Sequence, residues 1–257
     1  MIEVRNLTRV FRTYKKQPGF WGGVKGLFRR EFVETAAAKD ISFDIAEGEF
    51  VGFLGPNGAG KSTVLHSIFG FTKITAGRVN AGARDITRLT PSEKLKDAGI
   101  AYILQDNSVF PDMTVEENLL MGGYLLADRA KAQAAAERVF SHYDRLAKRR
   151  NERAGVLSGG ERRLLEISRA LIMDPQVLLV DEPSIGLEPR MIDMVFEILG
   201  ELQRAQGKTI IMVEQNARRG LDFSDIGYVL VAGRVALAGE GAQLLENPDV
   251  GRLFLGG

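Results

Sequence analysis

A glycine-rich segment between two apolar runs constrains this chain more than any other part of its sequence. From Phe50 to Phe69 the chain reads as an apolar strand, a turn with the pattern G-x-x-x-x-G-K-S, and apolar residues at helical spacing. Glycines permit a tight turn whose successive backbone N–H groups point at one anion, and the start of a helix favours negative charge. The segment therefore predicts a phosphate-binding loop between a strand and a helix.

The loop also predicts how a bound triphosphate is contacted. Lys61 brings a positive charge to the outer phosphates, and Ser62 offers a hydroxyl oxygen to Mg²⁺, which takes few protein ligands and keeps most of its water. The predicted nucleotide-binding residues of this segment are Gly55, Pro56, Asn57, Gly58, Ala59, Gly60, Lys61, Ser62 and Thr63.

Two acidic residues follow a second apolar run. Residues 177–180 are typical of a central parallel strand covered on both faces, and Asp181 and Glu182 stand at its carboxyl end, where open α/β sheets bind ligands. Phosphoryl transfer needs a carboxylate on the Mg²⁺ side and a group that orients the attacking water. Asp181 is predicted to be the metal ligand and Glu182 the general base. A solvated turn or a helix cap is the alternative reading of this acidic pair.

Composition excludes several other classes of function. The chain has 34 basic and 33 acidic side chains and a net charge of +1, so no nucleic-acid partner is predicted. It has no cysteine, which excludes disulfides, thiolate nucleophiles and cysteine-based metal sites. The N-terminus lacks an apolar signal-peptide core, and no apolar run approaches twenty residues. We therefore expect neither a signal peptide nor a membrane span.

The order of predicted elements indicates an α/β protein in one domain, residues 1–257. Helical spacing dominates from Thr114 to Arg150, and we interpret residues 106–160 as a helical subdomain inserted into the core. Residues 15–34 form a second insertion, rich in basic and aromatic side chains. Val24, Leu27, Phe28 and Phe32 fall on one face of a short predicted amphipathic helix. It either packs its aromatics on its own domain or contacts lipid headgroups or a membrane partner.

Five consecutive residues identify a family. Leu157, Ser158, Gly159, Gly160 and Glu161 resemble the signature of ABC transporter ATPases, and the chain has that family's motif order over nearly its whole length. The resemblance implies a P-loop NTPase (RecA-like) core with an antiparallel β subdomain and an inserted α-helical subdomain. It implies an ATPase whose hydrolysis drives transmembrane transport, on the cytoplasmic face of the cell membrane and attached through permease subunits.

In that family the signature grips the ATP bound by a second ATPase subunit, so the resemblance implies a head-to-tail homo- or heterodimer around two ATP. Gln105 is similar to the glutamine that reaches Mg²⁺ and the attacking water. Gln215 stands at the switch position, where the family has histidine, and can donate a hydrogen bond to the γ-phosphate. Phe11 is the candidate for stacking on adenine, with Tyr14 as second choice.

Segments 113–119, 149–155, 213–218 and 247–256 are similar to the second ATPase of branched-chain amino acid importers, the LivF type. This resemblance implies import of branched-chain amino acids or a related small solute, with a periplasmic binding protein as a further partner. The chain departs from the LivF pattern at Gln105, where that type has glutamate, and in the insertion at 15–34. It departs from the general family at Glu188, where aspartate is usual.

Three alternatives remain open at this point. The chain could serve an exporter, since the transported solute and direction are set by other subunits. It could be a soluble ABC ATPase without a permease, although it carries neither a second ATPase half nor a coiled-coil insert. Gln215 also motivates a regulatory module that binds nucleotide without hydrolysing it.

Overall fold

The computed structural model describes residues 1–14, 32–105 and 108–255, which form two β-sheets and the helices around them. The strands are β1 (Ile2–Tyr14), β2 (Phe32–Ile45), β3 (Phe50–Leu54), β4 (Ala76–Ala81), β5 (Arg84–Asp85), β6 (Ile100–Ile103), β7 (Val177–Asp181), β8 (Thr209–Glu214), β9 (Ile226–Val231) and β10 (Arg234–Glu240). The helices are α1 (Lys61–Phe69), α2 (Pro91–Ala98), α3 (Val115–Gly122), α4 (Arg129–His142), α5 (Asp144–Ala147), α6 (Gly159–Leu171), α7 (Pro189–Gln206), α8 (Ala217–Asp222), α9 (Gly241–Glu246) and α10 (Pro248–Leu255).

The larger sheet has the strand order β10-β9-β3-β8-β7-β6 and is parallel from β9 to β6. Every residue of β3, β7 and β8 is buried, as expected for apolar strands covered by helices on both faces. The carboxyl ends of these three strands lead into the phosphate loop, the Asp181-Glu182 pair and Gln215. One edge of the sheet therefore gathers the residues predicted from separate parts of the sequence.

The smaller sheet is antiparallel with the order β2-β1-β4-β5, and its buried face shares a core with one side of the larger sheet and with α1. Phe43 of β2 and Phe53 of β3 pack with their ring centroids 4.9 Å apart, and Tyr228 of β9 lies 5.1 Å from Phe53. This aromatic contact joins the two sheets at β3, the strand that leads into the phosphate loop.

The helices α3 to α6 share a second core with β6, β7, β8 and α7 on the other side of the larger sheet. Capping boxes start α3 and α6: Thr114 with Glu117, and Ser158 with Glu161. Asn118 is fully buried in α3 and bonds both the N–H and the C=O of Phe110. This side chain fastens the segment before α3 to the helix.

The strands predicted at residues 50–54, 177–180 and 209–213 are present as β3, β7 and β8. The insertion was expected to run to residue 34, but Phe32 begins β2 and pairs with Tyr14. Phe32 therefore extends the antiparallel ribbon and does not belong to an amphipathic helix face, because the strand continues β1's ladder. Val24, Leu27 and Phe28 lie in residues 15–31, outside the described part of the chain. Within the described part, every helix is too short or too polar to cross a lipid bilayer.

Candidate functional site

The phosphate loop joins β3 to α1, and its backbone is held in place by close contacts with neighbouring strands. Gly60 has φ +99°, and a Cβ at this position would lie 2.0 Å from the carbonyl oxygen of Ala37 in β2. A Cβ on Gly55 would lie 2.3 Å from the carbonyl oxygen of Leu230 in β9. Side chains are excluded at both positions, so the glycines fix the shape of the loop.

Lys61, the first residue of α1, is buried beneath this loop. Its Nζ donates to the carbonyl oxygens of Gly55 at 2.8 Å and Pro56 at 3.3 Å. Burial lowers the pKa of Lys61, while the negative charges of Glu182, Asp181 and Glu214 act in the opposite direction. The lysine cation therefore sits between the loop and a group of three carboxylates.

Asp181, at the end of β7, meets side chains from two other elements. Ser62 Oγ donates to its Oδ1 at 3.1 Å, and the Tyr102 hydroxyl donates to its Oδ2 at 2.7 Å. His66 Nε2 lies 3.7 Å from the same Oδ2. Burial and the neighbouring Asp181 charge raise the pKa of Tyr102 well above its usual range, so this phenol stays a hydrogen-bond donor. Ser62 and Asp181, each predicted separately as a Mg²⁺ ligand, are therefore in contact.

Glu182 is half-buried and adopts φ +43°, which is uncommon for a residue with a Cβ. Its backbone N–H donates to the carbonyl oxygen of Val213 at 2.9 Å, so β8 holds the chain where it turns away from β7. Strained backbone of this kind costs about 1–3 kcal/mol and concentrates at functional sites. The charges of Glu182 and Asp181 both act on the pKa of Lys61, so the two acids lie close to the phosphate loop.

The signature residues occupy the start of α6. Ser158 Oγ accepts from the Glu161 N–H at 3.3 Å and donates to Glu161 Oε2 at 2.8 Å. Although partial burial acts to raise the pKa of Glu161, the hydrogen bonds from Ser158 and the charge of Arg149 hold it below its usual value. Gly159 is exposed, whereas a Cβ on Gly160 would lie 2.0 Å from Met191 Sδ of α7.

Gln105 stands two residues after β6, the strand that pairs with β7. It lines a small cavity of about 140 Å³ with Gly159, Arg163 and the loop after Glu182. Arg163 is 4% exposed, donates to the carbonyl oxygen of Leu104 at 2.6 Å and pairs with buried Glu166 at 2.8 Å. The signature helix is therefore hydrogen-bonded to the backbone before Gln105 through Arg163, and Glu166 of the same helix neutralises that arginine.

Gln215 begins the loop after β8, and its backbone N–H donates to Glu214 Oε1 at 2.8 Å. The same oxygen accepts from the Asn216 N–H at 2.9 Å and from Ser184 Oγ at 3.0 Å. Ser184 belongs to the loop that follows Glu182. Glu214 therefore connects the two loops that carry the predicted base and the predicted switch residue.

Phe11 lies on β1 and is 37% exposed, with the guanidinium of Arg9 at 4.5 Å from its ring centroid. It pairs with Thr35 of β2, two residues before Ala37, whose carbonyl oxygen touches Gly60. The ring is thus near the phosphate loop and partly open to solvent. Tyr14 is the last residue of β1, and its side chain lies outside the described part of the structure.

The structure brings together Lys61, Ser62, Asp181 and Glu182 at one edge of the larger sheet, and places Ser158 on a helix of the other core. Sequence reasoning missed Tyr102, Glu214 and the Arg163–Glu166 pair. The acids and the arginine stand beside recognised motifs, but only the fold shows them to be buried. Tyr102 lies within an apolar run that suited the core equally well.

A parallel sheet with a phosphate loop and a hydroxyl–carboxylate pair at its carboxyl edge defines a P-loop NTPase. The profile of the ABC transporter family matches residues 38–185, more than half of the chain. The chain belongs to this family and is one of its ATP-binding ATPases.

Similar proteins and solved structures support the same family membership. The high-affinity branched-chain amino acid transport ATP-binding protein BraG of Pseudomonas aeruginosa is 41% identical over 86% of this chain and 94% of its own length. A probable branched-chain amino acid transport ATP-binding protein LivF of Archaeoglobus fulgidus is 38% identical over 84% of this chain and 91% of its own. The ADP conformation of MJ1267, an ATP-binding cassette of an ABC transporter, is 28% identical with a TM-score of 0.80, covering 100% of this chain and 98% of that one.

Proposed function

We propose that this chain is the ATP-hydrolysing subunit of an importer for branched-chain amino acids or a related small solute. The observation that carries the ATPase site is the contact of Ser62 with Asp181 beside a buried Lys61, with Glu182 next in the chain at φ +43°. The solute is inferred from the likeness to BraG and LivF at 41% and 38% identity. The subunit would work on the cytoplasmic face of the membrane, with permease subunits and a periplasmic binding protein as partners.

We assign the residue roles as follows. The backbone N–H groups of Gly55 and of residues 57–63, together with the Lys61 cation, bind the phosphates, and Pro56 shapes the loop without donating. Glu182 accepts a proton from the attacking water, and Gln215 donates a hydrogen bond to the γ-phosphate. Phe11 stacks on adenine through the ring face that Arg9 leaves open. Residues 106–160 act as the helical subdomain.

The oxygen donors fit Mg²⁺. Ser62 Oγ and Asp181 Oδ1 are 3.1 Å apart, and a hydroxyl with a carboxylate is the donor chemistry that Mg²⁺ accepts. We propose Ser62 and Asp181 as its protein ligands, with Gln105 approaching from the end of β6. When bound, the ion supplies charge neutralisation for the phosphates. Tyr102 orients Asp181 by occupying its second oxygen.

The site is complete only as a dimer in this proposal. The start of α6 combines Ser158 with two glycines at a helix N-terminus, which is a second place where phosphate can be gripped. Leu157, Ser158, Gly159, Gly160 and Glu161 would contact the ATP held by the other subunit. A dimeric structure of MJ0796 in a post-hydrolysis state bound to ADP and Pi is 25% identical to this chain with a TM-score of 0.74, covering 96% of this chain and 100% of that one.

Glu182→Gln tests the assigned base. We expect steady-state turnover to fall at least ~100-fold because general-base catalysis contributes that much, while ATP binding persists. Gel filtration with ATP and Mg²⁺ should show a trapped dimer. The matched control is Glu197→Gln, which alters an exposed acid on α7 and should retain wild-type turnover. Normal turnover by Glu182→Gln would contradict the assignment.

An exporter is the second candidate, because LptB of Acidithiobacillus ferridurans, a lipopolysaccharide export system ATP-binding protein, is 34% identical over 88% of this chain. The two candidates separate in a strain that lacks this chain. Uptake of radiolabelled leucine, isoleucine and valine should fall in that strain. It should return with the wild-type chain and stay low with Glu182→Gln. Unchanged uptake would exclude the proposed solute and leave the ATPase assignment intact.

A further inference from the structure

Glu214 is the last residue of β8, and its carboxylate is 1% exposed. Burying a carboxylate is costly unless hydrogen bonds compensate for the water it loses. Its Oε1 accepts three hydrogen bonds, from Ser184 Oγ and from the N–H groups of Gln215 and Asn216, at 2.8 to 3.0 Å. Its Oε2 has no hydrogen-bond partner among the described residues. A single oxygen therefore compensates this burial, and it does so by binding two loops at once.

The packing around Glu214 keeps it in this position. A Cβ on Gly220 of α8 would lie 3.3 Å from Glu214 Cβ, so helix and strand approach closely at this point. The carboxylate is also near enough to Lys61 for its charge to act on the pKa of that lysine. Glu214 thus lies within the electrostatic reach of the phosphate loop, but its hydrogen bonds go to the loops at 184 and 215–216.

We propose that Glu214 is a positioning residue that fixes Gln215 relative to Glu182. This inference rests on the proposed roles of Gln215 and Glu182. An amide side chain has no charge to draw it toward the γ-phosphate, so its placement depends on the backbone that carries it. Glu214 holds that backbone at its first N–H and ties it to the loop two residues after Glu182. A shift of Ser184 is thereby transmitted to Gln215.

The first test is the Glu214 series, with kcat, KM and the Kd of a fluorescent ATP analogue measured for each variant. Glu214→Ala removes all three bonds to a charged acceptor and should lower kcat by roughly 10- to 100-fold. Its Kd should stay within about 3-fold of wild type, because Glu214 contacts no predicted phosphate ligand through a hydrogen bond. Glu214→Gln keeps an oxygen acceptor and should restore kcat to within about 3-fold of wild type.

The second test is a double-mutant cycle with Ser184→Ala. Ser184→Ala should lower kcat by about 3-fold in the wild-type background and have no further effect in Glu214→Ala, because both changes remove the same contact. If Glu214→Ala does not fold, the cycle is run with Glu214→Leu, which occupies similar space but also lacks an acceptor for Ser184. Additive effects on kcat would show that the two loops are not coupled through Glu214 and would overturn the proposal.

The control is Asp225→Ala, at the opposite end of the sheet. Asp225 Oδ2 accepts from the Phe50 N–H at 2.8 Å, so this variant also removes a carboxylate–backbone bond. It should lower the Tm and leave kcat unchanged. Equal kcat losses in Asp225→Ala and Glu214→Ala, or a Kd that weakens in step with kcat, would assign Glu214 a structural role only. One outcome separates this inference from the proposed function. If Glu182→Gln abolishes hydrolysis but Glu214→Ala behaves as wild type, the ATPase assignment stands and the positioning role of Glu214 is wrong.

Discussion

The phosphate loop and the signature start are both expected to grip phosphate, but they are held in place by different forces. The phosphate loop is fixed by backbone contacts, since Gly60 and Gly55 press against carbonyl oxygens of Ala37 and Leu230. The helix that carries the signature is held by charged side chains. Arg163, which pairs with Glu166 in the same helix, donates to the carbonyl oxygen of Leu104, and Glu161 pairs with the more exposed Arg149.

This difference determines how a mutation affects the phosphate loop and how it affects the signature helix. A steric constraint does not depend on salt or pH, and a single methyl group can break it. An ion pair tolerates changes in shape, but it depends on both partners and, where exposed, on ionic strength. The phosphate loop should therefore be intolerant of added volume, and the signature helix of unbalanced charge.

Gly60→Ala should have the largest effect on function, because it combines a loss of stability with the loss of ATP binding. The new Cβ would meet the Ala37 carbonyl oxygen, and the φ of +99° disfavours any side chain, so we expect a loss of about 4 kcal/mol in unfolding free energy and no ATP binding. Gly58→Ala is the matched control, because its φ is +79° but nothing lies within 4 Å of the added Cβ. It should cost only about 1 kcal/mol from backbone strain. Equal losses in urea denaturation would show that φ, and not the contact, fixes the loop.

Arg163→Leu breaks the charge balance of the signature helix. It leaves Glu166 buried without its cation, so we expect a loss of about 3–5 kcal/mol in urea denaturation. Replacing both partners, Arg163→Leu with Glu166→Leu, should recover about 2 kcal/mol or more because no buried charge is left. ATPase activity should remain low in the double variant, since nothing then holds the Leu104 carbonyl beside Gln105. A double variant no more stable than the single one would refute the charge argument.

Lys94 tests whether the stability of the region around the phosphate loop also depends on a buried charge. It is fully buried, and its ammonium donates to the carbonyl oxygen of Ile68 near the end of α1. Burial lowers its pKa from 10.5 to about 8. Between these values the unfolded chain binds a proton that the folded chain lacks, so folding stability rises with pH across that window.

The shift corresponds to about 3 kcal/mol, so the stability of the wild type relative to Lys94→Met should increase by up to that amount between pH 8 and 10.5. Below pH 8 both states hold the proton and the difference should be constant. Chemical denaturation across this range measures it. A flat difference would mean that the lysine keeps an ordinary pKa. The charge of Lys94 would then contribute nothing to the stability of the region around the phosphate loop.

Arg149→Ala should have the smallest effect. Arg149 pairs with Glu161 and Glu152, both at 2.8 Å, but it is 39% exposed. Exposed pairs contribute about 0.2–1 kcal/mol, and added salt weakens them. We expect a loss of stability smaller than that of Gly58→Ala, which vanishes in 1 M NaCl, as judged by urea denaturation. A larger, salt-independent loss would place the main support of the signature start at this pair and not at Arg163–Glu166.

The fold and the motif residues could be predicted because their signals are local. Apolar runs predicted β3, β7 and β8, and the spacing of Gly55, Gly60 and Lys61 predicted the phosphate loop. The family resemblance then supplied the architecture, a P-loop core with an antiparallel β subdomain and a helical subdomain, which no single segment contains. These are properties of short stretches or of a whole pattern, and the sequence displays both.

The supporting residues could not be predicted because they act across the fold. Glu214 is one of 33 acidic side chains, and nothing in its neighbourhood shows that Ser184 will lie against it. Arg163 reaches Leu104 across 59 positions of sequence. Tyr102 resembles any core aromatic until Asp181 is placed beside its hydroxyl. Each depends on tertiary distance, which periodicity does not report.

The pairing of Tyr14 with Phe32 has a consequence for how this chain can be altered. Because the ribbon of β1 and β2 brings these two residues side by side, the described chain leaves the ribbon at Tyr14 and returns to it at the neighbouring position, Phe32. The entropy of closing a chain between two neighbouring points grows only slowly with the number of residues between them. The ribbon end is therefore a position where sequence can be exchanged, shortened or replaced by a reporter with little effect on the ATPase core.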